Sequence, residues 1–260
     1  MTIVSSAGED IYFEVTGDDG PVVVLGHGAG GNHASWFQQV PVLVAAGYRV
    51  ITWDTRGFGC STFRTGVHGQ AAIVGDLAAV LDAAEVTRAQ FVGQSLGGWW
   101  VTAFTLAHPE RVQSATLTNT VGGLYTAALL EHLRTVTGLP ALSPDLAHRD
   151  PARAFLYEQL ASFQSPPMTE IASCLRERVD PALMSATQVP LLAITSTGDE
   201  LFPGALVADS IRRVAGAEVV VIDGAGHSTY FERPDEFNAA LLPFLERYSG
   251  ASLAGGDETL

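Results

Sequence analysis

The chain has 260 residues, 47% of them hydrophobic and 16% charged, enough for one large domain around a substantial core. Its formal net charge is −14 and all 14 basic residues are arginine, which argues against a nucleic-acid partner, because phosphate binding needs a basic surface. No apolar run reaches bilayer length, no basic stretch followed by an apolar core opens the chain, and only Cys60 and Cys174 occur, with no metal-like spacing. The expectation is a cytoplasmic protein with reduced thiols, no membrane contact and no metal site.

Short strands are expected at Ile3-Val4-Ser5 and Ile11 to Val15, then a breaker-rich loop from Thr16 to Pro21. Val22-Val23-Val24-Leu25-Gly26 is a continuous β-branched run, as in a strand buried on both faces. It empties into His27-Gly28-Ala29-Gly30-Gly31. Without G-x-G-x-x-G or a lysine this is no phosphate cradle. It suits a loop whose Ala29 N–H stabilises a developing oxyanion, with His27 as an internal brace. Ser35 to Ala46 has helical spacing broken by Pro41, and Arg49 to Trp53 is the next strand. Asp54 and Arg56 follow, read as a loop brace through mutual hydrogen bonds, and Gln70 to Ala84 is an amphipathic helix in which Asp76 is a packing or capping partner.

Ala89 to Val92 reads as a buried strand, Gly98 to His108 as a helix, and between them stands Gly93-Gln94-Ser95-Leu96-Gly97. Strand, G-x-S-x-G, helix is the context of a nucleophile elbow, with the Ser95 hydroxyl pushed out of a tight turn and the Leu96 N–H beside it. Val112 to Leu117 is another strand. From about Val121 to Thr187 strand signals vanish and helices are expected at Ala127–Thr137, Pro151–Phe163 and Thr169–Val179. Strands resume at Pro190 to Thr195, followed by Gly198-Asp199, and at Ala217 to Ile222, followed by Gly226-His227; a closing helix covers Pro234 to Arg247. This rhythm predicts an α/β fold with a mostly parallel, eight-stranded sheet flanked by helices. Residues 1–120 and 188–248 would form the core, 121–187 an inserted helical cap and 249–260 a flexible tail.

Active sites of such sheets lie past the carboxyl ends of the strands, where Ala29, Ser95, Asp199 and His227 all fall. His27-Gly28-x-Gly30, Asp54-x-Arg56-Gly57-x-Gly59-x-Ser61, Gly93-x-Ser95-x-Gly97, Gly198-Asp199 and Gly226-His227 together resemble the α/β-hydrolase superfamily, nearest to its small capped esterases, enol-lactonases, non-metal haloperoxidases and C–C bond hydrolases. The resemblance implies Ser95 as nucleophile, His227 as general base, Asp199 as the acid orienting it, and Ala29 and Leu96 as oxyanion donors. Glu200 and Asp223 are the lesser candidates for the acid. The implied reaction is cofactor-free hydrolysis of a small-molecule carboxylic ester or lactone, with Trp99, Leu124, Tyr125, Phe163 and Phe202 as candidate pocket residues. The alternatives are a C–C bond hydrolase, other chemistry on the same triad, or a ligand receptor that keeps the triad. Serine at position 95 excludes an aspartate-nucleophile dehalogenase or epoxide hydrolase in practice. Oligomeric state is not legible in the sequence.

Overall fold

The computed structural model of the chain describes residues 2–138, 141–163 and 177–250. The strands are β1 (Thr2–Ser6), β2 (Glu9–Thr16), β3 (Val22–Gly26), β4 (Arg49–Trp53), β5 (Ala89–Gln94), β6 (Val112–Thr118), β7 (Leu191–Ser196) and β8 (Glu218–Ile222). They form one eight-stranded sheet in the order β1-β2-β4-β3-β5-β6-β7-β8. β2 pairs antiparallel with both β1 and β4, and every pairing from β4 across to β8 is parallel. The carboxyl ends of β3, β5, β6, β7 and β8 therefore open onto one edge of the sheet.

β3 shows why its apolar run is unbroken. Val22 and Val24 join one buried cluster and Val23 and Leu25 the other, so both faces of the strand are covered. On the first face pack α2 (Gln70–Ala83), through Ile73, Leu77, Val80 and Leu81, and α3 (Leu96–Ala107), through Trp100 and Phe104. On the second lie Leu43 of α1 (Val40–Ala45) and Phe237, Leu241, Phe244 and Leu245 of a long C-terminal helix (Pro234–Ser249). Each such side chain contributes about 1.5–3 kcal/mol by leaving water. Pro41 sits in the first turn of α1, where its missing N–H costs nothing, and a separate 3₁₀ turn spans His33–Trp36.

Between β6 and β7 the chain makes α4 (Ala127–Thr135), α5 (Leu146–Arg149), α6 (Pro151–Ala161) and α7 (Pro181–Thr187). Asp150 caps α6 by accepting the Arg153 N–H at 3.0 Å. α5 and α7 are short additions to the helices expected from sequence. Most of the expected Thr169–Val179 helix, with Cys174, lies outside the described residues, as do residues 251–260 of the expected tail. After β7 the chain forms α8 (Gly204–Ile211), a helix not expected from the sequence; after β8 come α9 (Thr229–Glu232) and α10, the long helix named above. No described helix is long and apolar enough to cross a membrane.

Candidate active site

Ser95 joins β5 directly to α3 and holds φ +49°, ψ −113°, a conformation that costs a non-glycine residue roughly 1–3 kcal/mol. Two backbone bonds hold it there: its N–H donates to the Thr118 carbonyl at 2.9 Å, and its carbonyl accepts from Gly98 N at 3.1 Å. The flanking glycines have no room for a side chain. A Cβ on Gly93 would strike the Gly97 carbonyl, and one on Gly97 would strike the carbonyls of Gly26 and His27. β5, α3 and the β3 loop are thus pressed together around the serine.

The structure brings His227 and Asp199 to this point. His227 Nε2 lies 2.9 Å from Ser95 Oγ, and His227 Nδ1 lies 3.0 Å from Asp199 Oδ2. A carboxylate only accepts, so Nδ1 carries the proton and the Nε2 lone pair faces the serine hydroxyl. The Asp199 carboxylate is buried but fully engaged. Oδ1 accepts the N–H groups of Leu201 (3.0 Å) and Phe202 (2.8 Å), and Oδ2 also accepts from Asn119 Nδ2 at 3.0 Å. The Phe202 ring lies nearly parallel to the imidazole, 19° between planes and 5.8 Å between centroids. Gln94 Nε2 donates to the His227 carbonyl at 2.9 Å.

A Cβ on Gly28 would stand 3.1 Å from Ser95 Cβ, which places the β3 loop alongside the serine. Ala29 follows in that loop, and Leu96 opens α3, where first-turn N–H groups have no helical acceptor. Among the described residues neither N–H donates to a protein acceptor. His27 is buried and braces the loop, its Nε2 accepting the Thr55 N–H at 3.1 Å and its Nδ1 facing the Gly28 carbonyl at 2.8 Å. Burial pushes its pKa down, so it stays neutral.

Two readings change. Asp54 and Arg56 do not bond each other. Asp54 accepts from His33 N (2.6 Å), His33 Nδ1 (2.9 Å) and Cys60 N (2.8 Å), whereas Arg56 reaches the other way and grips Asp76 of α2 with two bonds of 2.7 Å. Among the candidate pocket residues, Trp99, Leu124 and Phe202 are buried in one apolar cluster, with Tyr125 packed on it and its ring 5.5 Å from Trp99. Phe163 does not join them: its side chain, beyond the end of α6, is 60% exposed. Glu200 is exposed, and its carbonyl accepts from His132 Nε2 at 2.8 Å, while Asp223 takes the Thr197 hydroxyl at 2.7 Å, so neither rivals Asp199.

Asn119 was not singled out from sequence. It follows β6 directly with φ +52°, donates to Asp199, and its Oδ1 accepts the Thr229 N–H at 3.3 Å. The available signal was its place, one residue past the end of a buried strand. No described group of three or more His, Cys, Asp or Glu side chains is arranged to hold a metal ion.

The model of the α/β hydrolase fold family matches residues 21–151. A protein of Mycobacterium tuberculosis provisionally named non-heme bromoperoxidase BpoC is 29% identical over 259 residues, with 90% of this chain and 97% of the relative covered. A protein of Azorhizobium caulinodans provisionally named carbamate hydrolase RutD is also 29% identical, over 90% of this chain and 94% of its own. The solved structure of Est816, described as an N-acyl homoserine lactone degrading enzyme, superposes with a TM-score of 0.78 at 26% identity, covering 94% of this chain and all of that one. With its elbow, its sheet order and a family match over half its length, the chain belongs to the α/β hydrolase fold family.

Proposed function

We propose that the chain is a serine hydrolase that cleaves a small hydrophobic carboxylic ester or lactone through an acyl-enzyme on Ser95. The observation that carries this is the 2.9 Å approach of His227 Nε2 to Ser95 Oγ, with Asp199 3.0 Å behind the ring. As Oγ attacks the carbonyl carbon its proton passes to Nε2, and the imidazolium that forms is stabilised by the Asp199 carboxylate. The N–H groups of Ala29 and Leu96 donate to the oxyanion. Collapse of the tetrahedral species breaks the ester bond, and the leaving alkoxide takes the proton from Nε2. In a lactone that alkoxide stays tethered to the acyl group. Water, deprotonated by His227, then attacks the acyl carbon and releases Ser95 and the acid. No step calls for a metal or an organic cofactor.

If the apolar cluster of Trp99, Leu124, Tyr125 and Phe202 borders the bound substrate, it favours an apolar acyl or lactone portion, because desolvating that portion strands no polar group. The likeness to Est816 supports the lactone side of the reading. The test is hydrolysis of a short-chain aryl ester and of an acyl lactone at neutral pH with chelator present. Wild type should turn over at least one of them, and Ser95→Ala and His227→Ala should each lose on the order of 10⁴- to 10⁶-fold in kcat/KM. An active Ser95→Ala variant would overturn the assignment.

A further inference from the structure

Glu232 is a buried carboxylate that none of these steps uses. It ends α9, five residues after His227. Its Oε1 accepts the N–H of Gly226 at 3.0 Å and the N–H of Ser143 at 3.0 Å. Its Oε2 accepts the Ser143 hydroxyl, and Arg149 Nη2 stands 3.8 Å from it. One carboxyl group therefore grips the residue immediately before His227 and, at the same time, the inserted segment between β6 and β7. A second bridge lies just after the histidine, where the Ser228 hydroxyl donates to the Tyr157 hydroxyl of α6 at 3.0 Å. Arg153 of α6 adds a bond of 3.3 Å to the Glu232 carbonyl. The loop that carries His227 is clasped on both sides by residues 143–157.

A buried carboxylate is tolerated only while its oxygens are satisfied. If the 143–157 segment lifts, the Glu232 carboxylate loses three of its partners, Ser143 N, Ser143 Oγ and Arg149, and keeps only the Gly226 N–H. Its grip on the His227 loop then has to compete with rehydration of the carboxylate. We propose that Glu232 is a positioning residue that makes the alignment of His227 on Ser95 conditional on the seating of residues 143–157. The cap is then part of the general-base assembly, so whatever seats or lifts it sets turnover as well as access. The proposal rests on Ser95 and His227 being the reacting pair, and not on the identity of the substrate.

The test compares wild type with Glu232→Ala, Glu232→Gln and the cap-side double variant Ser143→Ala/Arg149→Ala. Two readouts are taken: the rate at which a fluorophosphonate labels Ser95, and kcat and KM for the aryl ester. Glu232→Ala should slow labelling and lower kcat by about 10- to 100-fold, the scale of a misplaced catalytic group, while KM stays within about three-fold. Glu232→Gln keeps an oxygen for the two N–H groups and should recover most of the rate. The double variant leaves Glu232 and the triad untouched and retains a folded clasp on the Gly226 side. It should still slow labelling. Wild-type labelling in the double variant, or a Glu232→Ala effect confined to KM, would overturn the proposal. Absent ester turnover with labelling intact would count against the substrate reading alone, because labelling reads the Ser95–His227 pair whatever the natural substrate is.

Discussion

Asn119 and Asp199 lie 80 residues apart in sequence and meet at 3.0 Å, amide Nδ2 to carboxylate Oδ2, on the same oxygen that faces His227. The amide supplies a donor that a buried carboxylate would otherwise lack. Asn119→Leu keeps the volume and removes it. The variant should unfold in urea with about 1–3 kcal/mol less stability, the usual cost of a stranded buried polar group, and should also lose activity. Full activity and unchanged stability would show that Asp199 does not depend on Asn119.

Asp199 itself is predicted to act by orienting the ring. Asp199→Asn preserves shape but presents the His227 Nδ1 side with an amide that can donate, which favours the tautomer with its proton on Nε2. Nε2–H would then donate toward Ser95 Oγ, and Nε2 could no longer accept the serine proton. kcat should fall by about 10⁴-fold, with a melting temperature shifted far less than the rate implies. Parallel measurement of kcat and thermal unfolding separates the two effects.

The Arg56–Asp76 pair is predicted to serve stability alone. Both side chains are buried and joined by two hydrogen bonds of 2.7 Å, so removing either partner strands the other charge. Arg56→Met should cost about 3–5 kcal/mol, and Arg56→Met/Asp76→Leu should regain much of it. Denaturant titration of the two variants checks this, and kcat of whatever remains folded should be close to wild type.

Acid sensitivity should trace in part to Glu9. Burial alone would raise its pKa, but hydrogen bonds from Thr62 Oγ1, Thr65 N, Arg64 N and Thr65 Oγ1 outweigh it and bring it down to about 2. The carboxylate is thus more acidic folded than unfolded. Its contribution to stability is complete above the ordinary carboxylate range and is lost as pH falls from about 4.5 toward 2. Glu9→Gln should be less stable than wild type at neutral pH, and the gap in urea midpoint should close through that window. A constant gap would contradict the assignment.

The strands were legible because their apolar runs are short, β-branched and bounded by glycine, and the elbow because its glycines and serine are contiguous. Ser95, Asp199 and His227 were each marked by falling just past a strand end, the place where this topology gathers its chemistry. The short helices and the pocket were less legible. α5, α7 and α8 have four, seven and eight residues, too few for a helical period to declare itself, and Phe163 had the right chemistry for a pocket but stands beyond the end of α6 with its side chain largely exposed. Asp54 and Arg56 are two positions apart in a loop, and their nearness in sequence suggested a bond; their partners instead come from His33 and from α2. Asn119, Tyr157 and Glu232 were missed for one reason. Asn119 meets Asp199, Tyr157 meets Ser228 and Glu232 meets Ser143 across 71 to 89 residues of sequence, and only the folded chain sets them side by side.

The central claim is that Ser95, activated by His227, is the nucleophile. The most direct measurement is peptide mapping by mass spectrometry after reaction with a fluorophosphonate in the presence of chelator, on wild type and on His227→Ala. The account predicts one adduct per chain, on the peptide carrying Ser95, forming orders of magnitude more slowly in His227→Ala. An adduct on another residue, no adduct at all, or an equal rate without the imidazole would contradict it.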